Sequence, residues 1–188
     1  MVEDYVLIVD DEPFVINSIR RVLIDAGYMI FSAENAYKGL DILKTHPVKV
    51  VISDEMMPGM SGSEFLSQVR QQFPNVIRIM LTGQASIEAA MRAVNEGGIY
   101  RFFTKPWNDL DLRFAVKAGI DRYDLEERNR KLLEIVKRQE MDLKMLENRF
   151  PGITILSHDE EGRIVLPDVS QEEMSQIIAQ CECDHPLE

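Results

Sequence analysis

Five polar residues of this chain each follow a short apolar segment: Asp10, Asp11, Asp54, Thr82 and Lys105. If each segment is a buried parallel strand, the five side chains meet at the carboxyl edge of one sheet, where open α/β sheets bind ligands. Three clustered carboxylates repel one another unless a cation lies among them, and oxygen ligands favour a hard ion such as Mg²⁺. The pattern predicts a magnesium-dependent phosphoryl site with Asp54 as the acceptor. The apolar segments are residues 5–9, 48–53, 76–81 and 99–103.

Each of these residues has an expected role in that chemistry. Asp54 would attack phosphorus as a carboxylate nucleophile and form an aspartyl phosphate. Lys105 would neutralise one phosphoryl oxygen and the Thr82 hydroxyl would donate to another, since phosphoryl transfer needs mainly positioning and charge neutralisation. Mg²⁺ would bind directly to Asp11, Asp54 and the main-chain carbonyl near Met56. Asp10 would hold the ion through a water molecule.

The elements that must position these residues alternate between strand-like and helical patterns over residues 1–108. Pro13 suits the first turn of a helix and Gly27 its carboxyl-terminal end. Ser61 and Glu64 form a capping box that opens a third helix. Five such units predict an α/β fold with a parallel sheet covered on both faces. The remaining predicted elements are a strand at 28–33, helices at 35–44 and 85–96, and a fifth helix that begins near Asn108.

The fifth predicted helix continues well beyond the sheet-forming part. Residues 110–149 contain no proline and one glycine. Residues with 4-3-4-3 spacing predict the seam of a coiled coil, and Asn129 within it is typical of a position that fixes register in parallel dimers. We favour a dimer-forming helix over one folded back onto its own domain, although Leu133 and Ile135 widen the apolar face and support the second interpretation. The seam residues are Leu125, Asn129, Leu132, Val136, Gln139, Leu143, Leu146 and Phe150.

The sequence from Pro151 onward forms an acidic tail, with nine acidic residues and one basic residue in 151–188. Segments 153–157 and 163–166 flank a turn sequence and predict a β-hairpin. A second capping-box match predicts a short helix at 170–180. Cys181, Cys183 and His185, with His158, raise a zinc hypothesis, but three neighbouring ligands do not make a tetrahedral site and we favour a polar tail. The predicted divisions are a first domain at 1–122, a helical extension at 123–150 and the tail at 151–188.

Composition limits the classes of partner. A net charge of −11 argues against direct DNA binding, because nucleic-acid phosphates select basic surfaces. No apolar segment approaches the roughly 20 residues that span a bilayer, and the first residues show no secretory signal. These observations predict a cytoplasmic location and no membrane partner.

Four motifs in order resemble the receiver domains of two-component response regulators. They are Asp-Asp-Glu-Pro at 10–13, Asp-Glu-Met-Met-Pro-Gly-Met-Ser-Gly at 54–62, Thr-Gly at 82–83 and Phe-Thr-Lys-Pro-Trp at 103–107. The resemblance covers about residues 3–122. It implies a doubly wound sheet of order 2-1-3-4-5 and a sensor histidine kinase or phosphotransfer protein as the phosphodonor. It further implies a phosphoacceptor signalling module rather than a metabolic enzyme.

The resemblance also implies a switch. Phosphorylation would draw the Thr82 hydroxyl toward the phosphoryl group, and Phe102, three residues before Lys105, would then turn inward. The readout surface would combine the fourth helix, the fifth strand and the fifth helix, so that one helix joins the switch to the coiled coil. In such receivers a bond like that between Lys105 and Pro106 is usually cis.

Two other functions are compatible with part of the pattern. A haloacid-dehalogenase-type phosphatase also forms an aspartyl phosphate, but it carries Asp-x-Asp on its first strand, which residues 10–12 do not give. A receiver-like scaffold that is never phosphorylated is the second alternative. The segment 109–150 resembles the connectors of response regulators with output domains, yet the sequence shows no output motif. Either the sequence is part of a longer protein or the protein acts by binding a partner, with residues 151–188 as the binding element.

Overall fold

A five-stranded parallel sheet is the centre of the computed structural model, which describes residues 4–83, 98–150, 157–158 and 164–165. Its strands are β1 Tyr5–Val9, β2 Met29–Ala33, β3 Val48–Asp54, β4 Ile77–Thr82 and β5 Arg101–Thr104. Their spatial order, β2-β1-β3-β4-β5, confirms the order implied by the resemblance. Asp54 and Thr82 are the last residues of their strands rather than the residues that follow, and β5 begins two residues later than the apolar segment at 99–103.

The helices are α1 Pro13–Ile24, α2 Ala36–Thr45, α3 Gly62–Gln72 and α4 Asp109–Arg149. The capping box of Ser61 and Glu64 is confirmed, with both reciprocal hydrogen bonds present. The predicted end of the first helix is wrong by two residues, because Asp25 is the carboxyl-terminal cap and Gly27 lies beyond it in a left-handed conformation. The predicted helix at 85–96 lies outside the described residues.

The sheet is buried because its strands alternate between two apolar layers. Leu7 and Val9 of β1 point to the layer formed with α2 and α3, whereas Val6 and Ile8 point to the layer formed with α1 and the first turns of α4. Both faces are therefore covered, as the parallel sheet requires. This doubly wound arrangement brings the carboxyl ends of β1, β3, β4 and β5 to one edge.

A buried cation lies at the opposite, amino edge of the sheet. The Nζ atom of Lys49 donates to Asp4 at 2.6 Å and to Asp124 of α4 at 2.7 Å. Burial opposes the charge of Lys49, but the two carboxylates outweigh this effect and raise the pKa of the lysine. The sequence interpretation placed Lys49 within an apolar segment, and only the fold shows that the residue joins three distant parts of the chain.

The helix α4 is continuous, as predicted, and changes character along its length. Near its beginning five residues are buried against the sheet: Leu112, Ala115, Val116, Gly119 and Ile120. From Leu125 to Phe150 the apolar seam residues are each more than a third exposed. The dimer-forming and the folded-back interpretations of this part of the helix both stay predictions.

The chain divides into two compact units, Met1–Leu132 and Leu133–Glu188. In the second unit, β6 Ser157–His158 and β7 Ile164–Val165 pair antiparallel, in agreement with the predicted hairpin. The predicted helix at 170–180 lies outside the described residues, and so do the residues of the zinc hypothesis, Cys181, Cys183 and His185. Among the described helices none is long and apolar enough to cross a membrane.

Candidate functional site

Three carboxylates converge at the carboxyl edge of the sheet. One carboxylate oxygen each from Asp10, Asp11 and Asp54 lies within 4.8 Å of the others. Asp10 and Asp54 are buried, whereas Asp11 is exposed. The donor set consists of oxygen atoms that carry concentrated negative charge, and such a set fits a hard divalent cation. The structure therefore brings together the three aspartates that the sequence singled out.

Lys105 is the cation that offsets this charge. Its Nζ atom lies 2.6 Å from Oδ1 of Asp54 and 3.1 Å from Oδ2 of Asp10. Burial opposes the charge of Lys105, but the hydrogen bonds and charges of the two aspartates raise its pKa. Burial also raises the pKa of the Asp10 carboxyl, against the opposing effects of the Glu12 N–H and of Lys105. One lysine therefore offsets part of the charge of the two buried carboxylates, Asp10 and Asp54.

Backbone hydrogen bonds beyond the strand ends hold these side chains in place. The N–H of Glu55 donates to the carbonyl of Leu81 at 2.9 Å, and the N–H of Lys105 donates to the carbonyl of Thr82 at 2.8 Å. The β3, β4 and β5 ends are thus joined directly at the site. The peptide bond between Lys105 and Pro106 is cis, as the resemblance implied.

Thr82 and Phe102, the two residues of the predicted switch, lie on the neighbouring strands β4 and β5. Thr82 is fully buried, and its hydroxyl donates to the carbonyl of Gly83 at 3.1 Å. Phe102 is partly buried, packs against the layer formed with α2 and α3, and pairs with Met80 of β4. Their switching roles stay predictions.

Met56 contributes its main chain to the site. Its N–H donates to Oδ2 of Asp54 at 3.1 Å, while its side chain is 70% exposed. The main chain at this position is therefore next to the acceptor carboxylate. That its carbonyl binds a metal ion stays a prediction.

The segment after Asp54 is fixed by three residues that the sequence interpretation missed. Both carboxylate oxygens of the buried Glu55 accept from Ser63, one from its N–H at 2.9 Å and one from its hydroxyl at 2.5 Å. The N–H of Gly62 donates to the Glu55 carbonyl at 3.0 Å. A Cβ atom on Gly62 would lie 2.1 Å from the carbonyl oxygen of Asp54, so only glycine fits. The available sequence signal was the small-residue run Ser61-Gly62-Ser63 directly after the acceptor loop.

Comparison with known proteins agrees with this geometry. Residues 6–117 match the response regulator receiver domain family, which is more than half of the chain. The hydrogenase transcriptional regulatory protein HoxA of Cupriavidus necator is 35% identical over 121 residues, 64% of this chain and 25% of that protein. The chain thus spans about a quarter of the length of this curated relative.

Solved structures show the same fold. A crystal structure described as adenylate cyclase from Rhodopirellula baltica has 36% identity and a TM-score of 0.67, covering 71% of this chain and 98% of its own. A CheY-like response regulator receiver domain protein from Methanospirillum hungatei has 30% identity and a TM-score of 0.62, covering 66% and 99%. The matched residues include every predicted site residue from Asp10 to Lys105. The chain belongs to the response regulator receiver domain family.

Proposed function

We propose that this chain accepts a phosphoryl group on Asp54 from the phosphohistidine of a sensor histidine kinase or phosphotransfer protein, in a magnesium-dependent reaction. The observation that carries the proposal is the convergence of Asp10, Asp11 and Asp54, with Lys105 paired to both Asp10 and Asp54. The phosphodonor would approach beside Phe14, which is 85% exposed in the first turn of α1 and gives the donor an apolar contact.

The proposed step is an in-line displacement at phosphorus. A carboxylate oxygen of Asp54 forms the new P–O bond while the P–N bond to the donor imidazole breaks, and the imidazole leaves with its electron pair. Lys105, now 2.6 Å from Asp54, would then face a phosphoryl oxygen. Mg²⁺ held by Asp10, Asp11, Asp54 and the Met56 carbonyl would neutralise charge between the carboxylates and the phosphoryl oxygens.

The proposed switch follows from the state of Thr82. Its hydroxyl donates to the carbonyl of Gly83, so donation to a phosphoryl oxygen requires that side chain to rotate. Rotation of the Thr82 side chain would change the space available at the end of β4. Phe102 on the neighbouring strand β5 would then turn inward. The readout surface would include β5 and α4, so the change reaches the long helix.

The proposed output is control of dimerisation or of partner binding. Residues 1–122 would form the receiver, 123–150 a dimerising helix and 151–188 a tail that contacts a partner. A homodimer through 123–150 is supported by the uncovered apolar seam. We propose no direct DNA binding, because the net charge of −11 disfavours binding to the negatively charged phosphate backbone.

Phosphoryl labelling tests the proposal. The full chain is treated with a small-molecule phosphodonor and Mg²⁺, and the modified residue is mapped after borohydride trapping. We expect a label on Asp54 that is absent without Mg²⁺ and absent from Asp54→Asn. The matched control is Asp41→Asn, which alters an exposed aspartate of α2 paired with Lys44 and should label normally.

The other outcomes separate the alternatives. A label on Asp10 or Asp11 would favour the first-strand chemistry of a haloacid-dehalogenase-type phosphatase. A folded chain that accepts no label from small phosphodonors or from a kinase would favour the unphosphorylated scaffold. Either result overturns the proposal.

A further inference from the structure

Glu55 is a buried carboxylate beside the acceptor that the proposed chemistry leaves without a role. It is 9% exposed and directly follows Asp54, yet it is not one of the three carboxylates that converge at the site. Its side chain contacts the first turn of α3 instead. Resting on the proposed phosphorylation of Asp54, we propose that Glu55 is a positioning residue, whose contact with α3 fixes the peptide group that holds the acceptor carboxylate.

The side chain of Glu55 joins the acceptor strand to a helix. Its two carboxylate oxygens accept from the N–H of Ser63 at 2.9 Å and from the Ser63 hydroxyl at 2.5 Å. Ser63 is the second residue of α3, where the N–H groups have no partner within the helix and the helix dipole favours a negative charge. A buried carboxylate needs partners of this kind, since an unpaired one would strongly oppose folding.

The main chain of Glu55 is held as firmly as its side chain. Its N–H donates to the carbonyl of Leu81 on β4 at 2.9 Å, and its carbonyl accepts from the N–H of Gly62 at 3.0 Å. The carboxylate, the N–H and the carbonyl of this residue therefore all have partners. Because these partners belong to β4 and α3, the chain leaving β3 has little freedom to turn at Glu55.

The peptide group between Glu55 and Met56 carries this constraint to the acceptor. Its carbonyl is the one held by Gly62, and its N–H donates to Oδ2 of Asp54 at 3.1 Å. The other carboxylate oxygen of Asp54, Oδ1, lies 2.6 Å from Nζ of Lys105. The peptide group and the lysine thus set the orientation of the acceptor carboxylate together. Loss of the Glu55 side chain would loosen one of these two supports.

A role for Glu55 in capping α3 alone has a different consequence. The capping box of Ser61 and Glu64 already satisfies the start of this helix and makes no contact with the strand. Glu55 adds a bond to Ser63, and this bond ties the helix to β3. A simple cap would change the stability of the chain, whereas a positioning contact changes the orientation of Asp54 as well.

Two substitutions at Glu55 separate hydrogen bonding from charge. Glu55→Gln can keep both contacts with Ser63, because the amide oxygen accepts from the N–H and the amide nitrogen donates to the hydroxyl oxygen. It removes only the negative charge. Glu55→Ala removes the charge and both contacts. A positioning role therefore predicts that the glutamine variant behaves like the wild-type chain and the alanine variant does not.

The rate of phosphoryl labelling is the first measurement. The full chain is treated with acetyl phosphate and saturating Mg²⁺, and labelling of Asp54 is followed over time. We expect Glu55→Ala to label about tenfold more slowly, because misplacement of a reacting group slows the reaction, and Glu55→Gln to label within about twofold of the wild-type rate. The matched control is Ser61→Ala, which removes a cap of the same helix and should lower stability without changing the rate.

Hydrogen exchange of the Met56 amide is the second measurement and needs neither metal nor phosphodonor. The Met56 N–H is the group that holds Asp54, so we expect it to exchange about tenfold faster in Glu55→Ala than in the wild-type chain or in Glu55→Gln. The amide of Val51, at the centre of β3, reports the stability of the whole domain in the same spectra. Its exchange should change much less than that of Met56.

The results separate the proposal from its alternatives. Slow labelling and fast Met56 exchange in Glu55→Ala, both restored in Glu55→Gln, support the positioning role. Equal effects of the two variants would assign the role to charge, and equal acceleration at Met56 and Val51 would assign it to stability alone. Either result, or wild-type labelling of Glu55→Ala, overturns the proposal. A wild-type chain that accepts no label on Asp54 would contradict the proposed function, while the exchange rates would still decide whether Glu55 holds the peptide group.

Discussion

Gly62 is the position at which a single methyl group would disturb the candidate site most directly. A Cβ atom there would lie 2.1 Å from the Asp54 carbonyl oxygen and 2.8 Å from the Glu55 Cα atom. Both neighbours are backbone atoms, so no side-chain rotation can relieve the contact. Gly62→Ala must instead move the segment that follows Asp54 by about 1 Å.

The cost of this movement is large on the scale of domain stability. Forced overpacking against a close-packed backbone costs about 3 kcal/mol. For a domain of this size that corresponds to a fall of about 10 °C in Tm. The same movement displaces the acceptor carboxylate from Lys105, and a displacement of about 1 Å at a reacting group can cost up to a hundredfold in rate. We therefore expect phosphorylation of Gly62→Ala to slow at least tenfold.

Urea unfolding and the rate of phosphoryl labelling provide the measurements. Gly27→Ala is the matched control: Gly27 has φ of +81° in the turn after α1, with no neighbouring atom within 4 Å of the added methyl. Left-handed strain should lower its stability by about 1–2 kcal/mol without changing the labelling rate. If Gly62→Ala is as stable as the wild-type chain, or labels as fast as Gly27→Ala, the inferred close approach to Asp54 is wrong.

Three other predictions concern the buried lysine, the metal ligands and the helix. Lys49→Met should lower the free energy of unfolding by about 2 kcal/mol at pH 7, because two carboxylates lose their cation. The raised pKa of Lys49 means that its stabilisation is complete below about pH 10.4 and is lost as pH rises through the raised pKa. Urea unfolding should therefore show a smaller difference between the variant and the wild-type chain at pH 11 than at pH 7. Asp11→Ala should weaken Mg²⁺ binding in titrations more than Asp10→Ala, because Lys105 and a backbone N–H already occupy the Asp10 oxygens; equal losses would contradict direct ligation by Asp11. Charged residues in place of Leu132 and Val136 should give monomers by light scattering, and an unchanged dimer mass would place the interface elsewhere.

The site was predictable because its residues lie at or next to the ends of strands, which can be recognised from short stretches of sequence. Asp10, Asp54, Thr82 and Lys105 each follow or end an apolar segment, and parallel strands bring such ends to one edge whatever their exact limits. Errors of one or two residues in β5 or at Gly27 therefore did not change which side chains were expected to meet.

Features that depend on distant contacts were not predictable in the same way. Lys49 was read as one residue of a strand because its partners, Asp4 and Asp124, are 45 and 75 residues away in sequence. Gly62 entered the sequence analysis only as the last residue of the motif at 54–62, since its approach to the Asp54 carbonyl follows from the path of the intervening loop. In both cases alternation and capping rules describe the local backbone correctly and carry no information about the partner.

The position of Asp124 bears on how a change at the site could reach the seam. Asp124 pairs with Lys49 of β3, the same strand that ends at Asp54, and the seam begins at the next residue, Leu125. The helix is continuous here, so no turn or glycine separates the anchored residue from the first seam residue. Asp124 therefore joins the strand that carries the acceptor to the residue that directly precedes the seam. Loss of the Lys49 and Asp124 pair would remove this connection as well as its contribution to stability.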